Sequence, residues 1–108
     1  MKIIEFDSEF SQTVLNLLIR NYSKVLRKRW NSGKNTVAVF VHEEYVMRTG
    51  SDQTITVIFE PSGVIGKNRV TVGGSGGGKG IMGMDWGSES AAEDTLIKRI
   101  KEITSPRY

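Results

Sequence analysis

The sequence predicts a two-layer α+β domain: an antiparallel sheet of four or five strands with an N-terminal and a C-terminal helix, in the order β-α-β-β-β-β-α. Three observations carry this expectation. Apolar residues from Phe10 onward recur at spacings of three and four, the chain then changes to β-branched runs between Thr36 and Val72, and a second three-and-four pattern runs from Ala92 to Ile103. Strands adjacent in sequence and joined by short links favour antiparallel pairing. A length of 108 residues suits a single domain over 1–108, and no repeat or linker divides it.

The elements follow in order. Lys2 to Phe6 is short, apolar and β-branched, which suits a first strand. Asp7 or Ser8 offers an N-cap. Phe10, Val14, Leu17, Leu18, Tyr22, Val25 and Leu26 then line one helical face, with Arg20, Lys24 and Arg27 opposite. Leu15, Ile19 and Trp30 widen the apolar face, and Asn31-Ser32-Gly33 would stop the helix. Thr36 to Val41 is a continuous β-branched run, expected as a strand covered on both faces. Tyr45 to Arg48 either continues it or returns from a hairpin at His42-Glu43-Glu44.

Thr54 to Phe59 and Arg69 to Val72 are further strands, separated by Pro61-Ser62-Gly63 and a turn candidate at Gly66-Lys67-Asn68. Ile81 to Trp86 reads as a last strand. Ser90 with Glu93 three residues on is a capping-box pattern for the closing helix, whose stripe is Ala92, Leu96, Ile100 and Ile103. Lys98, Arg99 and Lys101 complement the dipole at its end.

Composition excludes several function classes. There are no cysteines, so disulfides, thiol nucleophiles and Cys-type metal sites are out. A 38% hydrophobic and 25% charged chain is too apolar for disorder. The longest apolar runs are about five residues against the ~20 of a membrane helix, and the N-terminus has acids where a signal peptide starts basic. No membrane association and a cytoplasmic location are expected. The one histidine, His42, is followed by Glu43, but Val46 stands where a zinc-protease motif needs its second histidine. No G-x-S-x-G elbow places a serine. No catalytic residue, metal ligand or cofactor is expected.

Two segments are unusual. Eight of the 12 glycines lie between Gly73 and Gly87. Gly73-x-x-x-x-Gly78-Lys79 matches most of a phosphate-binding loop, but Gly80 stands where the magnesium-binding hydroxyl belongs. As a ligand site it would comprise Gly76, Gly77, Gly78, Lys79 and Trp86, taking a phosphate-containing small molecule; as structure it would be a mobile or bulged link between two strands. The second segment is basic. From Phe10 to His42 there is no Asp or Glu, and Arg20, Lys24, Arg27 and Lys28 with Trp30 form a candidate nucleic-acid footprint at the end of the first helix. As structure they would be a solvated helix face.

The stretch Ser75 to Glu89, with its glycines, the pair Trp86-Gly87 and an acid before a closing helix, resembles a domain-of-unknown-function family of small bacterial proteins. That resemblance implies a bacterial cytosolic origin and brings no activity, ligand or catalytic residue. The function expected is therefore a non-enzymatic binding or interaction module, its partner another protein or a second copy. Nucleic-acid binding and phosphate-ligand binding stand as alternatives.

Overall fold

A computed structural model describes residues 1–32, 35–46, 51–76 and 86–105. The elements are β1 (Lys2–Asp7), a single 3-10 turn (Ser8–Phe10), α1 (Ser11–Asn21), β2 (Leu26–Ser32), β3 (Asn35–Val46), β4 (Ser51–Pro61), β5 (Lys67–Gly76) and α2 (Trp86–Thr104). All five strands join one antiparallel sheet in the order β1-β5-β4-β3-β2. The α+β class, the antiparallel sheet and the flanking helices are as the sequence predicts.

Alternation along the strands decides where the core lies. Ala38 and Phe40 of β3 pair with Phe59 and Val57 of β4, which pair in turn with Val70 and Val72 of β5. All six are buried and meet Val14 and Leu18 of α1 and Leu96 and Ile100 of α2 in one cluster. Both helices therefore pack on the same face of the sheet. Phe6 of β1 joins this layer, its ring centroid 5.9 Å from that of Phe59. Each fully buried side chain of this kind is worth about 1.5–3 kcal/mol over its exposed state.

The turn between β4 and β5 needs glycine. Gly66 has φ +81°, a left-handed conformation that side chains disfavour. Its carbonyl also accepts the Ser8 N–H at 2.8 Å, tying the turn to the start of the first helical segment. Asn68 donates from its side-chain amide to the hydroxyls of Ser8 and Ser11.

The predicted element order holds, but its membership changes. The helix expected from Phe10 to Trp30 ends at Asn21. The Tyr22 N–H closes the last turn on the Leu18 carbonyl at 2.8 Å, and the Val25 N–H already bonds the Val41 carbonyl at 2.9 Å. Residues 26–32 are thus the edge strand β2, whose pairing with β3 overrides local periodicity. Tyr45 and Val46 continue β3, so no hairpin turns at His42-Glu43-Glu44. Lys67 and Asn68 belong to β5 rather than to the turn. Gly73 to Gly76 are no loose link: they extend β5 and pair with Gln53 to Thr56. Of the expected strand Ile81 to Trp86, residues 81–85 lie outside the described residues, and Trp86 already opens α2, ahead of the predicted Ser90 cap.

Candidate functional site

The two helices leave the other face of the sheet without a described element on it. Register places the side chains of that face in rows. One row crosses all five strands: Ile3, Thr71, Ile58, Val39 and Lys28. A second runs Gly73, Thr56, Val41 and Leu26. On the other side of the first row, Glu5 opposes Arg69, which opposes Glu60, while Val37 opposes Trp30. Ile3 is 59% exposed, Trp30 49% and Leu26 46%, and Val37, Val39, Val41 and Ile58 are only partly buried. β3 is therefore covered on one face, not on both as its apolar run implied. A contiguous apolar surface on one side of a sheet is characteristic of an interaction site.

Charge is arranged around this surface. Arg69 and Glu60 neutralise each other at 3.2 Å, and Lys67 Nζ donates to Asp7 Oδ1 at 2.9 Å. The hydrogen bond and charge of Asp7, with Glu5 adding to them, hold the Lys67 ammonium above the ordinary lysine range. Glu5 on the β1 rim and Lys28 on the β2 rim have no ion pair with a described residue. Lys28 Nζ instead lies 5.7 Å from the centroid of the Trp30 ring, a cation–π contact on its own strand.

The residues singled out from sequence for nucleic acid do not share one surface. Lys28 and Trp30 lie on the open face, whereas Arg27 and Arg29 pair with Phe40 and Ala38 and so point to the helix side. Both sides of β2 are exposed from Leu26 to Asn31. Lys24 precedes the strand. Arg20 sits in the last turn of α1, beside Thr13, Asn16, Leu17, Asn21 and Ile103, in an open groove of about 300 Å³ between the helices. The basic cluster is thus the flank of an edge strand, not the end of the first helix.

The glycine site is divided similarly. Gly76 ends β5 and Trp86 begins α2, while Gly77, Gly78 and Lys79 lie outside the described residues. The Gly74 N–H donates to Glu93 Oε2 of α2 at 3.0 Å, and Glu93, buried to 5% exposure, holds the Met1 ammonium 3.0 Å from its other oxygen. An internal carboxylate occupies the place beside Gly74 that an external anion would need. The sequence marks Glu93 only as a capping residue, three positions after Ser90. Its burial is set by β5 reaching four residues past Val72 to lie under α2, which the glycines disguise.

On the helix side, His42 meets Tyr22 edge-on, with ring centroids 5.5 Å apart, and Arg99 Nη1 donates to the Tyr22 hydroxyl at 3.5 Å. This is a packing arrangement at the margin of the core. Among the described residues no three His, Asp or Glu side chains cluster to hold a metal. No described helix is long and apolar enough to cross a membrane.

A family model described as a family of unknown function, DUF6054, matches residues 7–104. The chain belongs to the DUF6054 family. Its matched span runs from the end of β1 to the end of α2 and so includes both helices and the whole open face of β2 to β5. Neither the curated proteins nor the solved structures compared with this DUF6054 chain give a match.

Proposed function

We propose that this DUF6054 chain is a non-enzymatic protein-interaction module of a bacterial cytosol, and that its contact surface is the open face of the sheet. The observation that supports it is the row Ile3, Ile58 and Val39, continued by Val41, Leu26 and Trp30, on a face that no described element covers. Leaving this much apolar surface in water forgoes roughly 25 cal/mol for each Å² that a partner would bury.

A nucleic-acid platform fits this face less well. Sheets that bind single strands stack successive bases on several aromatics, and the two central rows of this face, Ile3 to Lys28 and Gly73 to Leu26, hold none. Lys24, Arg27, Lys28 and Arg29, none of them paired with a described carboxylate, are the feature that favours a polyanion. On an exposed edge strand, charges of this kind also block unwanted strand addition.

The test is position-specific photo-crosslinking in cells that express the protein. A crosslinker at Val39 should give protein adducts, and one at Lys98, exposed on α2, should give none above background. Equal adducts at both positions, none at either, or adducts from Val39 to nucleic acid would each overturn the proposal.

A further inference from the structure

We infer that the outer edge of β2 is a contact site of its own, which takes an acidic peptide in extended form as an added strand of the sheet. This goes beyond the open face and does not depend on it. Antiparallel pairing to β3 uses the N–H and C=O of every second residue of β2, and the alternate residues turn theirs outward. β2 is the last strand on its side of the sheet, and no described element lies beyond it. It pairs with β3 without a break from Leu26 to Ser32 and holds no proline. Proline, bulges and covering segments are common ways to blunt an edge, and β2 shows none of them among the described residues.

Charge states what the peptide must carry. Arg27, Lys28 and Arg29 are all exposed, and none pairs with a described carboxylate. A strand residue inside a sheet has one cross-strand neighbour on each side. On the β3 side these neighbours are Phe40, Val39 and Ala38, all apolar. Carboxylates directly opposite the three cations can therefore come only from a strand on the outer side. Leu26 and Trp30 flank the run and are 46% and 49% exposed. The matching segment is thus three successive acids between two apolar residues. That pattern reads the same from either end, so it suits a parallel or an antiparallel partner.

The other edge of the sheet gives the contrast. On β1, Lys2 pairs with Asp94 at 3.4 Å and Asp7 with Lys67 at 2.9 Å, so two of its charges are answered within the chain. A second β2 is a poor partner, because it brings three more cations and no acid, and like charges on facing strands repel. Nucleic acid meets the cations but not the edge, since its phosphate backbone has no N–H to donate to the outward carbonyls. The cations also lie on both faces of the sheet: Arg27 and Arg29 on the helix side, Lys28 on the open side. That alternation matches the side chains of an extended peptide, whose main chain supplies affinity and whose side chains supply specificity. The cations therefore turn away strands like their own and select an acidic one.

The test is NMR titration of the full chain with short capped peptides. One carries Val-Glu-Glu-Glu-Val between threonines, and a second has lysines in place of the glutamates. Two further versions of the first are N-methylated at alternate amides, one in each phase. The glutamate peptide should bind with shifts confined to β2 and the β3 residues beside it, and the lysine peptide should not bind. Only one of the methylated peptides should still bind, because the other loses the hydrogen bonds that face β2. Lys28→Glu should weaken the glutamate peptide roughly tenfold. Reversing all three cations (Arg27→Glu, Lys28→Glu and Arg29→Glu together) should exchange the preference between glutamate and lysine peptides, with circular dichroism confirming the fold. Equal binding of both methylated peptides would show attraction by charge without strand addition and overturn the inference. So would shifts centred away from β2, or no binding at about millimolar peptide. A thymidine tetranucleotide, with its three phosphates, that bound β2 as tightly as the glutamate peptide would overturn it in favour of nucleic acid.

Discussion

Phe59 and Ile58 are neighbours on β4 that face opposite ways. Phe59 pairs with Ala38 and Val70 beneath the helices and is 1% exposed, while Ile58 pairs with Val39 and Thr71 on the open side and is only partly buried. The same alternation runs through β3, β4 and β5, so one set of strands presents a packed face and an unpacked one. Both faces are apolar in their middle rows. What separates them is that α1 and α2 supply Val14, Leu18, Leu96 and Ile100 to one and nothing described to the other. Hydrophobic composition alone therefore does not define a core: coverage does, and an apolar face without it is where a partner can gain binding energy.

The largest expected effect tests that difference directly. Phe59→Ala should cost about 3–5 kcal/mol of unfolding free energy, the transfer of the ring plus the cavity it leaves. Ile58→Ala should cost under ~1 kcal/mol in dilute solution, where the open face stays wet. Chemical denaturation of both variants at low protein concentration measures the contrast. Similar losses would mean that something already covers Ile58 within one chain.

Carboxylates give the next step down. Glu93 is buried and accepts the Gly74 N–H, whereas Glu60 pairs with Arg69 at about a third exposure on the open face. Glu93→Ala strands a buried N–H and should cost ~1–3 kcal/mol. Glu60→Ala should cost no more than ~1 kcal/mol, since half-solvated pairs are worth little. Glu93→Gln, which retains an acceptor, should recover part of the loss. Urea denaturation midpoints compare the three, and a Glu60→Ala loss equal to that of Glu93→Ala would break the contrast between the faces.

How far the residues announced this structure follows the same division. α1, β3, β4, the first half of β5 and α2 were legible because each carries a buried stripe at its own period: Val14 and Leu18, Ala38 and Phe40, Val57 and Phe59, Val70 and Val72, Leu96 and Ile100. β2 was not. Its residues from Leu26 to Asn31 are exposed on both sides, so no burial pattern marks it as a strand. Tyr22, Val25 and Leu26 happen to continue the helical spacing of α1, yet Val25 and Leu26 are exposed at 57% and 46%. Asn31-Ser32-Gly33 is a turn string whether a helix or a strand precedes it. The open face was hidden for a related reason. An unbroken run such as Thr36 to Val41 states that both sides are apolar, but only the three-dimensional placement of two helices says which side is left bare. Among the residues singled out for function, Lys28 and Trp30 reach that face; the residues beside them, Ile3, Ile58 and Val39, carry no chemistry a motif could flag.

The smallest effect concerns the ion pair of Lys67 and Asp7, which lies on the rim of the open face and is solvated on both partners. Because Asp7 and Glu5 hold the Lys67 ammonium above its ordinary range, the folded state binds that proton more tightly than the unfolded chain does. Its contribution is therefore complete below the ordinary lysine value of ~10.4 and is lost as pH rises through the higher folded value. Lys67→Met should lower the denaturation midpoint only slightly at neutral pH, and the gap to wild type should close in the alkaline range. A gap that stayed constant from neutral to alkaline pH would show that the lysine stem acts by packing against the sheet. In that case the rim of the open face would be held by contact rather than by charge.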